Sequence, residues 1–168
     1  MASEGVPKRQ KTNELNAGLG ADGVFFIEDD PGLGAKAVMT CGGAKVELWT
    51  FGAHMTSWQV DGAERTWMSK LSKLDGSAPL RGGTPVCFPQ FADQGDLVLH
   101  GFARTSVWTV ASTATALTAD GPRTSITLGL TDSPATEALW PGNKFALSYT
   151  VTLGPRSIGY ELTATNTG

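Results

Sequence analysis

The segment Phe145-Ala146-Leu147-Ser148-Tyr149-Thr150-Val151-Thr152-Leu153 alternates large apolar residues with small or polar ones without a break. A pleated strand sends successive side chains to opposite faces, so this stretch suits a strand with one face on a core and suits no helix. Ile126, Leu128 and Leu130 repeat the pattern against Thr127, Gly129 and Thr131, and Ile158, Tyr160 and Leu162 repeat it once more. Further strands are expected over 24–28, 36–41, 45–51, 54–60, 64–68, 106–112 and 114–119.

Turn chemistry separates these runs. Asp61-Gly62 and Asp120-Gly121 are type I′ hairpin signals, because both residue types tolerate the positive φ such turns demand. Pro31-Gly32 and Gly154-Pro155 mark two more junctions. Helix is expected only over 133–139, with Ser133 as N-cap and Pro134 at the first helical position. Many short strands joined by tight turns predict an all-β antiparallel sandwich. Residues 1–22 read as a flexible polar tail and 23–168 as one β-sandwich unit.

Composition narrows the function. Only 17% of the 168 residues are charged, below the roughly 25% of ordinary soluble domains, and 40% are hydrophobic, which excludes wholesale disorder. A net charge of −3 argues against nucleic acid or an anionic membrane as partner. No apolar run reaches the ~18 residues of a spanning helix, and the first residues lack the apolar stretch of a secretory signal. The expected address is the cytoplasm. Lys8, Arg9 and Lys11 form a small basic cluster that reads as solvated charge rather than as a targeting signal. Cys41 and Cys87 stand far apart and read as buried free thiols.

The stretch 79–104 breaks the alternation. It carries three Pro and four Gly, yet also Val86, Phe88, Phe91 and Phe102, which a solvated linker would not contain. An ordered loop anchored by its own side chains is expected there. Within it, Arg81 precedes Gly82-Gly83, where absent Cβ atoms allow positive φ and close approach to a ligand. A guanidinium beside such a bend can grip a phosphate or carboxylate with two donors, or be a plain surface charge. His100, Phe102 and Arg104 are spaced by two and would share one face of a strand. An imidazole, a ring and a guanidinium together suit a phosphorylated sugar, or else they are a satisfied loop histidine and an Arg104 paired to a nearby carboxylate. Among the tryptophans, only Trp140, in Trp140-Pro141-Gly142-Asn143, lies between elements as a candidate sugar platform. The only two histidines, 46 residues apart and outside any His/Cys/Asp cluster, argue against a metal site. No Gly-x-Ser-x-Gly elbow is present.

Arg81-Gly82-Gly83-Thr84-Pro85-Val86-Cys87-Phe88-Pro89-Gln90-Phe91 followed by His100-Gly101-Phe102-Ala103-Arg104 resembles the hexose-6-phosphate mutarotase branch of the aldose 1-epimerase family. Gly52-Ala53-His54-Met55-Thr56-Ser57-Trp58, Trp108 and Trp140-Pro141 agree with it, and the likeness runs over about 23–168. The resemblance implies the N-terminal part of a galactose-mutarotase-like β-supersandwich. It also implies interconversion of the α and β anomers of a hexose 6-phosphate, glucose 6-phosphate foremost, by acid–base ring opening without cofactor or metal. Arg81 and Arg104 match the family's substrate-binding arginines, and His100 matches a histidine expected to bond the sugar. Two departures follow. Leu99 stands where a substrate-binding Gln commonly precedes the His-Gly-Phe-Ala-Arg motif, and the catalytic His and Glu are expected beyond Asn166-Thr167-Gly168. A phosphosugar binder without catalysis, or a truncated protein without function, are the alternatives. A monomer is expected for the complete domain.

Overall fold

A computed structural model describes residues 10–168, which form nine strands in two antiparallel sheets. The first sheet runs in chain order through β1 (Val24–Asp30), β2 (Gly34–Cys41), β3 (Ala44–Trp49), β4 (His54–Val60) and β5 (Ala63–Glu64). The second runs through β6 (Thr109–Thr118), β7 (Gly121–Thr131), β8 (Phe145–Leu153) and β9 (Ile158–Asn166). The all-β reading holds, and so does the alternation on which it rests. β7 and β8 pair Ile126 with Val151, Leu128 with Tyr149 and Leu130 with Leu147, so the apolar members lie cross-strand on one face. That face packs on Ala37, Met39, Val46 and Leu48 of the first sheet to make one core.

Several boundaries differ from expectation. The runs 106–112 and 114–119 belong to a single strand, β6, with a bulge between Val110 and Ser112 that absorbs the break in alternation. Of the expected run 64–68 only Glu64 lies in a strand, the two-residue β5, because the chain then leaves β4 and pairs instead through Met68 with Gly82. Asp61 and Gly62 both take positive φ (52° and 78°), as a type I′ turn requires, whereas of Asp120-Gly121 only the glycine does. There Thr118 pairs with Gly121, so the turn residues are Ala119 and Asp120. The short helix α2 (Pro134–Leu139) is capped as expected, the Ser133 hydroxyl accepting from the Thr136 N–H and the Thr136 hydroxyl accepting from the Ser133 N–H.

The expected polar tail is corrected over its described part. Helix α1 (Thr12–Leu19) occupies it and buries Leu15 in the core. Asn16 donates its side-chain N–H to the Phe26 carbonyl and accepts from the Phe26 N–H, both at 2.8 Å, beside the bulge in β1. Gln10 does the same for Val110 (3.0 and 2.7 Å) beside the bulge in β6. Two amide side chains thus satisfy backbone groups on the outer strand of each sheet and tie the two edges together. Lys8 and Arg9 lie outside the described residues.

The core predicts a simple contrast. Leu128→Ala, at a fully buried site (0% exposed), is expected to cost about 2–5 kcal/mol of unfolding free energy in urea titration. Leu117→Ala, at a side chain 86% exposed, is expected to stay within about 0.5 kcal/mol.

Candidate functional site

The site is assembled on the bend between β3 and β4. Thr50 enters it buried, its hydroxyl accepting from the Ala35 N–H and its carbonyl accepting from the Trp108 N–H at 2.8 Å. Gly52 follows with φ 70°, and a Cβ there would stand 2.6 Å from the Arg104 carbonyl oxygen. No other residue permits that crossing without displacing the Arg104 backbone. The Gly52 N–H donates to the Ser106 carbonyl (2.7 Å), which fixes the His100–Arg104 motif against the bend. Two residues on, the Met55 carbonyl accepts from the Thr84 N–H (2.9 Å), and His54 Nε2 lies 2.8 Å from the Gly82 carbonyl. The Arg81-Gly82-Gly83 and His100–Arg104 motifs, well separated in sequence, therefore dock on one short turn.

The loop 79–104 is ordered as expected, but not all its large side chains anchor it. Val86 and Phe102 are buried, and Phe88 packs edge-on to Phe102 (6.2 Å) and Trp140 (5.8 Å) and lies 5.2 Å from Phe145. Phe91 is 69% exposed. Gln90 holds the loop's tip instead, donating to the Ala92 and Leu97 carbonyls and accepting from the Leu97 N–H. The peptide Phe88-Pro89 is cis. Gly82 and Gly83 take the positive φ expected of them (96° and 64°).

His100, Phe102 and Arg104 do not share a strand face, contrary to the spacing argument. His100 and Gly101 both have positive φ (63° and 70°), and Ala103–Thr105 is a 3-10 turn pinned by the Trp108 indole N–H on the Ala103 carbonyl (2.9 Å). The reversal sends Phe102 into the core and leaves His100 and Arg104 half-buried on the other side. His100 Nδ1 accepts from the Ala92 N–H (3.1 Å) and lies 3.5 Å from the Cys87 sulfur, so the neutral ring carries its proton on Nε2. Arg104 donates from Nη2 to the Leu99 carbonyl (2.6 Å), while its enclosed Nε has no acceptor.

Arg104 thus reaches back to the Leu99 carbonyl beside His100, while the Arg81 and Arg104 segments touch different residues of the same bend, His54 against Gly82 and Gly52 against Ser106. No ion pair or hydrogen bond links the Arg81 side chain to His100 or Arg104, or to a carboxylate, among the described residues. Its backbone is held by the Ser72 hydroxyl and the Ser69 N–H. Both cysteines are free, with Cys41 buried and Cys87 half-buried. Trp140 is half-buried in the Phe88–Phe145 cluster and lines a cavity of about 320 Å³ with Asn143, Lys144 and Asn166, away from the three motif residues.

Two residues escaped the sequence reading. Trp67 is 70% exposed and its carbonyl accepts from the Gly83 N–H, which puts an uncovered indole in the chain segment that pairs with Arg81-Gly82-Gly83. It sits inside an expected strand, and nothing in that pattern sets it apart from a core tryptophan. His54 is 1% exposed, and burial pushes its pKa below the ordinary 6.5, the Gly82 bond opposing this only in part. Its partner is 28 residues away in the chain, a separation that carries no local signal.

Several known proteins are similar to this chain. A protein named "Putative glucose-6-phosphate 1-epimerase" from Cenchrus ciliaris is 35% identical over 112 residues, which is 65% of this chain and 33% of that protein. One of the same name from Escherichia coli K12 is 41% identical over 93 residues, or 54% and 30%. The chain thus spans about a third of the length of the curated relatives it matches. A crystal structure of a Salmonella typhimurium protein described as a "putative mutarotase (YeaD)" superposes with a TM-score of 0.72 at 29% identity, over 86% of this chain and 48% of that one. Galactose 1-epimerase from Lactobacillus acidophilus, at 16% identity and a TM-score of 0.56 over 85% of this chain and 48% of that one, shares the fold, which is therefore galactose-mutarotase-like. The family pattern of aldose 1-epimerase matches residues 36–168, from β2 to the end of β9 and through both motifs of the bend, so the chain belongs to the aldose 1-epimerase family.

Proposed function

We propose that this chain is the phosphosugar-holding portion of a hexose-6-phosphate mutarotase, a glucose-6-phosphate 1-epimerase. The observation that carries the reading is the docking of the Arg81 and Arg104 segments on the one bend at Gly52 and His54. The Arg104 guanidinium meets a backbone carbonyl and neither it nor that of Arg81 is paired to a carboxylate among the described residues, so both keep donor capacity for a dianionic phosphate. His100, with Nδ1 occupied by the Ala92 N–H, offers an Nε2–H to a sugar hydroxyl. The names of the curated relatives favour the phosphorylated hexose.

The chemistry is acid–base ring opening. A carboxylate takes the proton from the C1 hydroxyl while an imidazolium protonates the ring oxygen, the C1–O5 bond breaks to the aldehyde, and rotation about C1–C2 precedes closure on the other face. We assign the acid His and the base Glu to residues outside 1–168. His54 is too deeply buried to reach substrate, and His100 serves orientation. Cytoplasmic action as a monomer belongs to the same proposal.

Arg81→Ala and Arg104→Ala are each expected to weaken glucose 6-phosphate binding about 10–100-fold in calorimetry, the loss of a charge-assisted contact of roughly 1.5–3 kcal/mol, with glucose binding unchanged. Equal losses for the two sugars would contradict the phosphate assignment. Residues 1–168 alone are expected to leave the anomerisation rate of glucose 6-phosphate, followed by NMR exchange, near its spontaneous value. A clear acceleration would mean that the acid and base lie within this chain.

A further inference from the structure

We propose that His54 is the positioning residue for Arg81: its ring, enclosed beneath the Arg-Gly-Gly bend, donates from Nε2 to the Gly82 carbonyl and so fixes the direction in which the guanidinium leaves the loop. The inference rests on the phosphate-binding reading of Arg81.

The geometry makes His54 more than filler. The positive φ values of Gly82 and Gly83 form a backbone reversal, and the Gly82 carbonyl meets His54 Nε2 at 2.8 Å. A carbonyl so placed needs a donor, and an aliphatic side chain at position 54 would offer none. One residue further, the Met55 carbonyl takes the Thr84 N–H, so consecutive residues of β4 grip the chain on either side of Gly83. The grip has no slack. A Cβ on Gly83 would lie 2.8 Å from His54 Nε2 and 2.2 Å from the Met55 carbonyl oxygen. The outer side of the bend is tied by the Gly83 N–H on the Trp67 carbonyl, the Ser69 N–H on the Arg81 carbonyl and the Arg81 N–H on the Ser72 hydroxyl, none of which holds the Gly82 carbonyl.

Donation from Nε2 also fixes the tautomer. Nδ1 is left as an unprotonated nitrogen, enclosed and without a hydrogen-bond partner. The ring gives up one hydrogen bond to make the other, which is the mark of a group kept for the Gly82 contact rather than for general polarity. The arrangement leaves the imidazole neutral, so the positive charge at the bend resides on Arg81.

The test compares amides of different reach. In H54Q the side-chain N–H occupies nearly the place of Nε2, whereas in H54N it falls short. H54L removes the donor without adding a polar group and is expected to behave as H54N, which covers failure of either variant to fold. Binding of glucose 6-phosphate and of glucose is measured by calorimetry, with R81A alongside and thermal midpoints recorded. We expect H54N to lose about tenfold or more in glucose 6-phosphate affinity, equivalent to one net hydrogen bond of about 1.4 kcal/mol. Glucose binding should be unchanged, and H54Q should recover the loss to within a few-fold. If R81A weakens the phosphosugar and H54N does not, the positioning inference is overturned and the phosphate reading stands. Equal loss of both sugars in H54N, unrescued by H54Q, makes His54 a packing residue and also overturns it. If wild type fails to bind the phosphosugar or R81A leaves its affinity unchanged, the phosphate reading falls and takes this inference with it.

Discussion

The bend from Thr50 to Met55 is the constraint on which the site depends. A β-hairpin turn is usually solvated, but here its N–H and C=O groups are committed to three other segments. Thr50 meets the start of β6 through Trp108, Gly52 meets the Arg104 turn, and His54 with Met55 meets the Arg81 bend. Each bond is ordinary in length. Their effect comes from being concentrated on six residues, so that the two ends of the 79–104 loop acquire a fixed relation to one another. Sites built this way inherit the rigidity of the scaffold rather than of the loop itself.

Edges are the second theme. α1 and the residues just before it close the side of the sandwich at β1 and β6 with Asn16 and Gln10, each copying the donor–acceptor pair of a neighbouring strand. The remaining long edge, β9, is treated differently. Tyr160 and Leu162 continue the inner face of β8, with Tyr160 stacked on Tyr149 at 6.1 Å and 3°, yet both stay roughly two-fifths exposed. The Tyr160 hydroxyl reaches Thr84 at 3.4 Å, so this face abuts the Arg81 bend. Burial raises the pKa of both tyrosines, which keeps their hydroxyls protonated.

Much of this was legible in the residues. Period-two alternation located β7, β8 and β9 because one face of each meets a core, or the extension of its face, and Ser133-Pro134 announced α2 through local capping chemistry. Arg81-Gly82-Gly83 was legible as a bend because glycine takes the positive φ values found there at the least steric cost. The failures share a cause. α1 was hidden because its hold on the fold comes from Leu15, Asn16 and contacts to strands far along the chain, not from a periodic apolar face. Spacing by two misled at His100–Arg104 because the positive φ of His100 turns the chain before alternation can apply. His54 and Trp67 acquire their roles from partners that pairing alone brings near.

The most direct test of the account is a titration of isotope-labelled protein with glucose 6-phosphate, followed residue by residue in amide NMR spectra. Saturable, concerted shifts at Arg81–Thr84 and His100–Ser106, together with the Thr50–Met55 bend between them, are the predicted result. Shifts confined to the Trp140–Phe145 cavity, or none at all, would contradict a phosphosugar site built on that bend.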